Sequence, residues 1–196
     1  MVETIYGDKL IEMEEVRDEV IAIIDSFRDK EKEATGEDPV EHVVTRIKDD
    51  KSMREKCRRR NLPETADSAL NILTDAIGVR VVCAFRSDVY LMRDRIANCE
   101  FFEVIEEKDY IKHSKDNGYR SYHMILKYRG YFIEIQIRTI SMDTWAALEH
   151  QMKYKKKVNG NVELISSELK RCADDLASTD ISMQTLRNLI RQMEDE

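Results

Sequence analysis

The sequence predicts an α+β fold in which a mixed sheet of about five strands is flanked by helices, with long helices at both termini. Near each end of the chain, apolar residues recur at steps of three and four, which indicates amphipathic helices. Between them lie short apolar or alternating segments bounded by turn residues, as is typical of strands. At 196 residues, the chain is expected to form one domain.

The first part of the chain is predicted to be mainly helical. Apolar spacing indicates a helix over 10–27. The segment 38–41, Asp-Pro-Val-Glu, has the pattern of a helix N-terminus and predicts a short turn of helix. The segment 43–48 is left open, because its β-branched residues also suit an extended strand. Ser52 begins a capping box and a helix to about Arg60.

The middle of the chain is predicted to contain the first buried strand. The short apolar run 79–85 follows Gly78 and has the length and composition of a strand buried in a sheet. Ser87 is expected to cap a helix over 88–99. A further strand is predicted over 101–105.

A hairpin is the clearest local prediction. The segments 121–128 and 131–138 both alternate between apolar and polar residues. They are joined at Arg129-Gly130, which suits a tight turn between antiparallel strands. A polar loop over 108–120 precedes them.

The C-terminal part is predicted to be helical over 141–156 and again over 162–193, with a break near Asp180. The second segment carries two apolar stripes: Ile165, Leu169, Cys172 and Leu176, then Met183, Leu186, Ile190 and Met193. These stripes suit assembly of several copies and equally suit packing on the chain's own domain.

The composition limits the classes of protein to which the chain can belong. Apolar residues make up 42% and charged residues 36% of the chain, as in a soluble globular domain. No run of about 18 apolar residues occurs, so no membrane span is expected. The first residues lack the pattern of a signal peptide, and the four cysteines lie far apart. A disulfide set or zinc site is not expected, and the cytoplasm is the predicted location.

Positive charge is concentrated in one segment of an acidic protein. The net charge is −7, yet eight lysines and arginines lie within 46–60. A local basic cluster favours a bounded anionic ligand over a long nucleic-acid track. A solvated helix face explains the same cluster equally well.

The strand over 131–138 has one polar face. Glu134, Gln136 and Arg138 alternate with isoleucines, so they point away from the apolar side. This pattern indicates a strand between a core and a polar cleft, although a plain amphipathic strand exposed to water has the same pattern. His123 on the preceding strand lies beside Glu134 if the register allows it.

Two acids and one basic helix suggest a phosphate site. Asp75 precedes the strand that includes Arg80, and Glu134 lies on another strand; two such carboxylates suit Mg²⁺, which takes its other ligands from phosphates and water. The helix that follows Lys48 carries Ser52, Lys56 and Arg59 on one face. Together with Lys48, this face is a candidate binding site for a triphosphate. A charged surface helix is the alternative.

Tyr119 is a candidate for base stacking. It follows Asn117-Gly118 at the junction of the polar loop with a strand. A tyrosine beside a glycine is also common in plain turns.

The motifs in this order resemble the synthetase domain of the RelA/SpoT-like alarmone enzymes, and most closely the stand-alone small alarmone synthetases. The resemblance covers 38–154. It rests on Thr45-Arg46-Ile47-Lys48, Asp75-Ala76-Ile77-Gly78-Val79-Arg80, Gly118-Tyr119-Arg120-Ser121-Tyr122-His123, Glu134-Ile135-Gln136-Ile137-Arg138-Thr139 and Trp145-Ala146-Ala147-Leu148-Glu149-His150. The family often has Asp-Ile-Ala-Gly where this chain has Asp-Ala-Ile-Gly, a change that keeps the acid and the glycine.

The resemblance implies a nucleotidyltransferase-like fold and the transfer of pyrophosphate from ATP to the 3′-hydroxyl of GDP, GTP or GMP. It implies that the adenine lies between Arg46 and Arg80, and that the ATP phosphates are held by Lys48, Ser52, Lys56 and Arg59. It implies Mg²⁺ on Asp75 and Glu134, with Glu134 also deprotonating the acceptor. It implies that Tyr119 stacks on guanine in a site lined by Asn117, His123 and Gln136.

The resemblance also implies an organisation. The chain is expected to be one synthetase domain over 1–196, with a core over 38–154 and helical extensions. It contains no His-Asp dipeptide, so synthesis without hydrolysis is expected. Small synthetases are commonly homotetramers.

Two other functions fit the same sequence. Related toxins pyrophosphorylate adenine nucleotides or the 3′ end of tRNA, and Tyr119 can stack on any base. A non-catalytic regulator that binds nucleotides or single-stranded RNA would keep the fold, but the presence of Asp75 and Glu134 argues against it.

Overall fold

The computed structural model describes residues 4–154 and 162–194. Its elements in chain order are α1 (Lys9–Thr35), β1 (Val40–Ile47), α2 (Asp50–Arg59), one π-helical turn (Ser68–Ile72), β2 (Ile77–Cys83), α3 (Arg86–Ala97), β3 (Glu103–Asp109), β4 (Tyr122–Tyr128), β5 (Tyr131–Thr139), α4 (Ile140–Tyr154) and α5 (Val162–Glu194). The predicted fold class is confirmed, including the long helix at each end.

The five strands form one mixed sheet in the order β1-β2-β5-β4-β3. β2 and β5 are parallel, and the other neighbouring strands are antiparallel. The central position of β2 and β5 explains their apolar sequences, because each is paired on both edges and faces the core on one side.

The predicted hairpin is confirmed. β4 pairs with β5 through the register Tyr128↔Tyr131. Arg129 and Gly130 form the turn with φ of 48° and 86°. Two consecutive residues with positive φ match the twist of a two-residue hairpin, and glycine adopts this conformation without strain.

The core lies between one face of the sheet and two helices. Ile77, Ile133, Ile135 and Met124 are fully buried on that face. The helices α1 and α3 both contact the sheet. They bury Met13, Val16, Val20 and Ile24 from α1, and Val89, Met92 and Ile96 from α3. The other face of the sheet is therefore left for polar side chains.

Ile135→Ala is expected to lower the free energy of unfolding by about 3 kcal/mol, because it opens a cavity in a closely packed core. Ile135 is fully buried on a central strand, whereas Ile11 on α1 is 69% exposed. Ile11→Ala is the matched control and should change the free energy of unfolding by less than about 0.5 kcal/mol. Urea unfolding of both variants measures the difference, and equal losses would contradict the core described above.

Three predictions of helix starts are wrong. The segment at Asp38 does not begin a helix, because Asp38 accepts hydrogen bonds from the guanidinium of Arg28 and from the Val40 amide, and a strand follows. Asp49, not Ser52, caps α2, since its side chain accepts the Ser52 amide. α3 begins at Arg86, before Ser87, without a side-chain cap.

The C-terminal helix continues through Asp180, so the predicted break is wrong. Asp180 is 8% exposed and accepts a hydrogen bond of 2.5 Å from Thr139 Oγ1 at the end of β5. The polar residue that suggested a break is thus an anchor for the helix. The predicted C-terminal end of the preceding helix, at 156, lies outside the described residues.

The two predicted stripes of α5 differ in burial. Leu169 and Leu176 of the first stripe are partly buried, whereas Ile165 and Cys172 are exposed. All four residues of the second stripe are exposed: Met183, Leu186, Ile190 and Met193. The second stripe therefore does not pack on the chain's own domain. No helix within 4–154 or 162–194 has the length and apolar character needed to cross a membrane.

Candidate active site

The polar face of the sheet gathers residues that are far apart in the sequence. The register places six positions in two adjacent rows: Arg46, Gly78 and Glu134 in the first, and Arg80, Gln136 and His123 in the second. Five of these residues line a cleft: Arg46, Gly78, Arg80, Glu134 and Gln136. The predicted polar face is confirmed, and so is the placement of His123 beside it.

Beyond one end of the cleft, where the chain enters β2, lies a cationic cluster around a single acid. The ammonium groups of Lys48 and Lys56 lie 2.5 Å and 2.6 Å from Asp75 Oδ2. Burial alone would raise the pKa of Asp75, but the hydrogen bonds from the two lysines lower it below its ordinary value. The acid is therefore ionised at neutral pH.

The backbone of Lys48 is fixed on both sides. Its amide donates to the Ala76 carbonyl at 2.9 Å, next to β2. Its carbonyl accepts a hydrogen bond of 2.6 Å from the buried Tyr6 hydroxyl. The Ile5 amide also donates to Asp50 at the start of α2. The segment before α1 thus helps hold the lysine cluster, which no local sequence signal indicated.

Asp75 retains one oxygen for a cation. Its Oδ1 is buried and has no hydrogen-bond partner in the described part of the chain. Within 4–154 and 162–194, no three His, Cys, Asp or Glu side chains come together as a metal-binding group. One free carboxylate oxygen, with Glu134 on the adjacent strand, fits a cation that takes most ligands from phosphates and water, as Mg²⁺ does.

Two arginines flank the cleft near Glu134. Arg46 and Arg80 both line it, with Gly78 between them in the sheet surface. Gly78 has no side chain, and the Arg46 side chain lies over it, with its Cγ and Nε 3.6 Å and 3.7 Å from where a Cβ of residue 78 would lie. Arg46 is exposed, and Arg80 Nε is buried without a hydrogen-bond partner among the described residues. Both guanidinium groups are available to a planar ligand in the cleft.

Beyond the other end of the cleft, on β4 and the loop before it, lies an aromatic and hydrogen-bonded cluster that meets the cleft at Gln136. Tyr119 Oη lies 2.8 Å from His123 Nε2. Arg138 donates to Tyr119 Oη at 2.7 Å and to Gln136 Oε1 at 2.6 Å. Gln136 Nε2 in turn donates to Glu134 Oε2 at 3.0 Å. Three of the predicted acceptor residues, Tyr119, His123 and Gln136, are thus joined to Glu134 through one network.

The loop that carries Tyr119 packs against α5. Arg120 donates to the Ala173 carbonyl and to Asp174. At Gly118, with φ of +89°, an added Cβ would lie 2.6 Å from Ala173 Cβ. Only glycine satisfies both this close approach and the backbone conformation. The C-terminal helix therefore helps set the position of Tyr119.

His123 is expected to make stability depend on pH. Burial of its ring, with nearby Arg138, Lys115 and Lys108, lowers its pKa from 6.5 to about 3. The ring thus stays neutral in the folded protein at pH 5 but binds a proton in the unfolded chain. Because the unfolded state binds that proton, acidification from pH 7 to 5 lowers the free energy of unfolding by about 2 kcal/mol through this residue.

Urea unfolding of the wild type and His123→Gln at both pH values measures this contribution. The wild type should lose about 2 kcal/mol more than the variant on acidification. Equal losses would show that the folded protein binds a proton at His123 by pH 5.

The low pKa of His123 also means that its ring is neutral, so the 3.9 Å contact between His123 Nδ1 and Glu134 Oε1 is not an ion pair.

Comparison with known proteins decides the family. Residues 45–159, more than half of the chain, match the family model described as a region found in RelA / SpoT proteins.

The chain belongs to the RelA/SpoT family.

Relatives agree with this RelA/SpoT membership. The chain is 31% identical to the GTP pyrophosphokinase YjbM of Bacillus subtilis (strain 168) over 163 residues, which are 79% of this chain and 75% of YjbM. It is 37% identical to the GTP pyrophosphokinase YwaC of the same organism over 148 residues, with 71% and 70% covered. The RelA/SpoT chain is therefore an enzyme of the same family as these pyrophosphokinases.

Solved structures agree as well. The small alarmone synthetase 1 from Bacillus subtilis, bound to its product pppGpp, superposes with a TM-score of 0.81 at 28% identity, covering 93% of this chain and 96% of that chain. A GTP pyrophosphokinase family protein from Streptococcus pneumoniae superposes with a TM-score of 0.75 at 31% identity, covering 94% and 91%. The predicted resemblance of this RelA/SpoT protein to small alarmone synthetases is confirmed. The domain limits 1–196, and the core limits 38–154, stay predictions.

The remaining predicted residues of the RelA/SpoT protein lie less centrally. Arg59 is exposed at the end of α2. Ser52 lies in the first turn of α2, where its backbone amide donates to the Asp49 side chain. The Asn117 side chain donates to Glu149 and accepts the Tyr119 amide, so it shapes the loop. The predicted roles of these three residues stay predictions.

Three contributors to the cleft were missed as site residues. Arg138 shares the alternating face of Glu134 and Gln136, so a signal was present. Lys115 lies 4.9 Å from the Tyr119 ring centroid, but only its place in a polar loop indicated it. Asp143 in the first turn of α4 pairs with Arg80 and Arg138, and no local pattern indicated this role.

Proposed function

We propose that this enzyme transfers the pyrophosphate of ATP to the 3′-hydroxyl of GDP or GTP, with GMP as a third candidate acceptor, and releases AMP. One observation carries the proposal. A lysine cluster around Asp75 lies beyond one end of the cleft and the Tyr119–His123 cluster beyond the other, and Glu134 lines the cleft between them. The relatives' activity as GTP pyrophosphokinases supports it.

The donor nucleotide is proposed to lie at the lysine end. Arg46 and Arg80 flank the cleft and offer planar cations to the two faces of adenine. Lys48 and Lys56 would exchange their contact with Asp75 for contacts with the phosphates, and Ser52 and Arg59 would add donors along α2. This places positive charge where negative charge develops in phosphoryl transfer.

Asp75 and Glu134 are the residues that would hold Mg²⁺. The unpartnered Oδ1 of Asp75 supports this assignment. When bound, the ion neutralises charge on the transferred group and on the leaving group. The few protein ligands agree with a metal held mainly through the nucleotide.

The acceptor nucleotide is proposed to lie at the aromatic end. Tyr119 would stack on guanine, and the cleft there would be lined by Asn117, His123 and Gln136. The neutral ring of His123 can accept or donate one hydrogen bond to the acceptor without adding charge. Gln136, fixed by Arg138 and Glu134, offers directed polar atoms beside it.

The reaction follows from these positions. Glu134 takes the proton of the acceptor 3′-hydroxyl, and the 3′-oxygen forms a bond to the β-phosphorus of ATP. The bond from that phosphorus to the oxygen bridging the α-phosphate breaks, and AMP leaves with this oxygen. Holding both nucleotides in line supplies most of the acceleration, since such transfers need alignment and charge neutralisation more than covalent help.

Assembly through α5 is also proposed. Its exposed apolar stripe at 183–193 would be covered by another copy, and a homotetramer is the expected assembly by resemblance. Static light scattering of the wild type tests it, together with Leu186→Glu, which should dissociate the assembly. Leu186 is 53% exposed, so a monomeric wild type or an unchanged variant would contradict this interface.

A cytoplasmic location is proposed from the thiols. All four cysteines are free: Cys57 and Cys83 are buried, Cys99 is partly buried and Cys172 is exposed. Unpaired cysteines are typical of a reducing compartment.

The decisive experiment incubates the protein with Mg²⁺, ATP labelled at the γ-phosphate, and GMP, GDP, GTP, ADP or deacylated tRNA in parallel. Label on a guanine nucleotide, with AMP released in equal amount, would establish the proposal and rank the acceptors. Label only on an adenine nucleotide or tRNA would assign a toxin-like activity. No transfer by folded protein, with binding of single-stranded RNA on filters, would indicate a regulator.

A further inference from the structure

One carboxylate connects the two ends of the cleft. Asp143 lies in the first turn of α4, and its side chain is 16% exposed. Arg80 Nη1 and Arg138 Nη1 each lie 3.0 Å from the same oxygen, Asp143 Oδ1. An acid that receives two guanidinium groups on one oxygen constrains both of them at once.

On the acceptor side, Arg138 transmits this constraint. Its side chain is 6% exposed, so its charge depends on a protein partner. The same guanidinium donates to Tyr119 Oη and Gln136 Oε1, and its Cζ lies 5.2 Å from the Tyr119 ring centroid. The orientation of Arg138 therefore sets both the proposed stacking residue and the amide that contacts Glu134.

On the donor side, Arg80 is held more loosely. Its side chain is 32% exposed, and Asp143 is its only ion-pair partner in the described part of the chain. Its Nε is buried without a hydrogen-bond partner there. A ligand that stacks on Arg80 would therefore act on Arg138 as well, because both guanidinium groups contact the same oxygen of Asp143.

We propose that Asp143 is a positioning residue that couples the two nucleotide sites, so that each nucleotide binds more tightly when the other is present. The proposal rests on the proposed function, because it takes Arg80 as a donor-site residue and Arg138 as a neighbour of the acceptor. The first nucleotide fixes the Arg80–Asp143–Arg138 arrangement, and the second then binds with less loss of conformational entropy. Asp143 itself touches neither reacting group.

Isothermal titration calorimetry with α,β-methylene-ATP tests the coupling, because the bond that would break is replaced in this analogue. Its dissociation constant is measured with and without saturating GDP, in the presence of Mg²⁺, for the wild type and Asp143→Asn. The wild type should bind the analogue about fivefold or more tightly when GDP is present. In Asp143→Asn this ratio should fall to about 1, since a neutral amide cannot pair with two guanidinium groups.

A matched control separates coupling from general loss of structure. Asp88 on α3 pairs with Arg187 on α5, both nearly buried and outside the cleft. Asp88→Asn should lower thermal stability but keep the wild-type ratio. If Asp143→Asn does not fold, Arg138→Lys is measured in its place. This variant keeps the positive charge but lacks the planar guanidinium that contacts Asp143, Tyr119 and Gln136 together, so it should also reduce the ratio to about 1.

The outcomes are distinct. A wild type that binds neither nucleotide contradicts the proposed function itself. A wild type that binds both with no mutual effect overturns the coupling, and so does a ratio that persists in Asp143→Asn or, where that variant does not fold, in Arg138→Lys. The coupling is supported if the ratio falls to about 1 in the variant tested and keeps its wild-type value in Asp88→Asn.

Discussion

Glu134→Gln is expected to reduce turnover by about 10³-fold or more while the fold survives. Glu134 is the only carboxylate lining the cleft on the described strands, and it accepts a hydrogen bond from Gln136. Its amide replacement has almost the same size but can neither take the proton of the acceptor hydroxyl nor neutralise a cation. The expected loss is therefore in kcat, with small changes in the dissociation constants of the nucleotides.

The sheet offers a matched control for this change. Glu106 on β3 pairs with Ile125, and Ile125 pairs with Glu134, so the two glutamates share one row and one face. They are two strands apart, a separation of about 10 Å. Glu106 is half exposed and pairs with Lys108. Glu106→Gln should keep full turnover, and a fully active Glu134→Gln would refute the assignment of the active site.

Asp75→Asn is expected to lower turnover by about 10²-fold or more and to raise the Mg²⁺ concentration needed for half of maximal activity. The change removes the negative charge that Lys48 and Lys56 face. It also replaces the ionised carboxylate proposed to bind the metal through Oδ1 by a neutral amide, whose oxygen is a weaker ligand for a divalent cation. Titrating activity with Mg²⁺ at fixed ATP separates the two effects. A loss of turnover at every Mg²⁺ concentration with an unchanged midpoint would show that Asp75 only organises the lysines.

Asp67→Asn is the control for this variant. Asp67 lies in the same connection between α2 and β2, is exposed, and accepts a hydrogen bond from Asn71. It should leave both turnover and the Mg²⁺ midpoint unchanged. Circular dichroism of the two variants checks that the fold is kept, because two unpaired lysines near a partly buried amide destabilise the folded state.

Strand predictions succeeded where the pattern of each strand is dictated by its own two faces. β5 alternates between isoleucines and the polar set that begins with Glu134, and the burial of its residues follows that alternation as far as Ile137, after which Arg138 is buried as well. The hairpin turn at Arg129-Gly130 is equally local, because its φ values favour glycine. Such features need no knowledge of distant residues.

Helix starts were predicted less well, since a capping pattern competes with distant partners. Asp38 has the side chain of a helix cap, but Arg28 on α1 binds its carboxylate and a strand follows. At α2, the adjacent Asp49 takes the capping position in place of Ser52. Asp180 suggested a break in the last helix, yet its carboxylate accepts a hydrogen bond from Thr139 at the end of β5, and the helix continues. The errors at Asp38 and Asp180 concern side chains whose partners lie on other elements, whereas the error at α2 is a local one between two neighbouring capping residues.

The sequence alone determined the fold class, the polar face of β5 and the family, because the alternation of strands and the order of short motifs are properties of local chain segments. The tertiary structure decided which residues meet. Only the register of β1, β2, β5 and β4 brings Arg46, Arg80, Glu134 and His123 onto one face. Only the packing of α4 on the sheet places Asp143 between two arginines, since contacts between residues distant in sequence depend on how the elements pack.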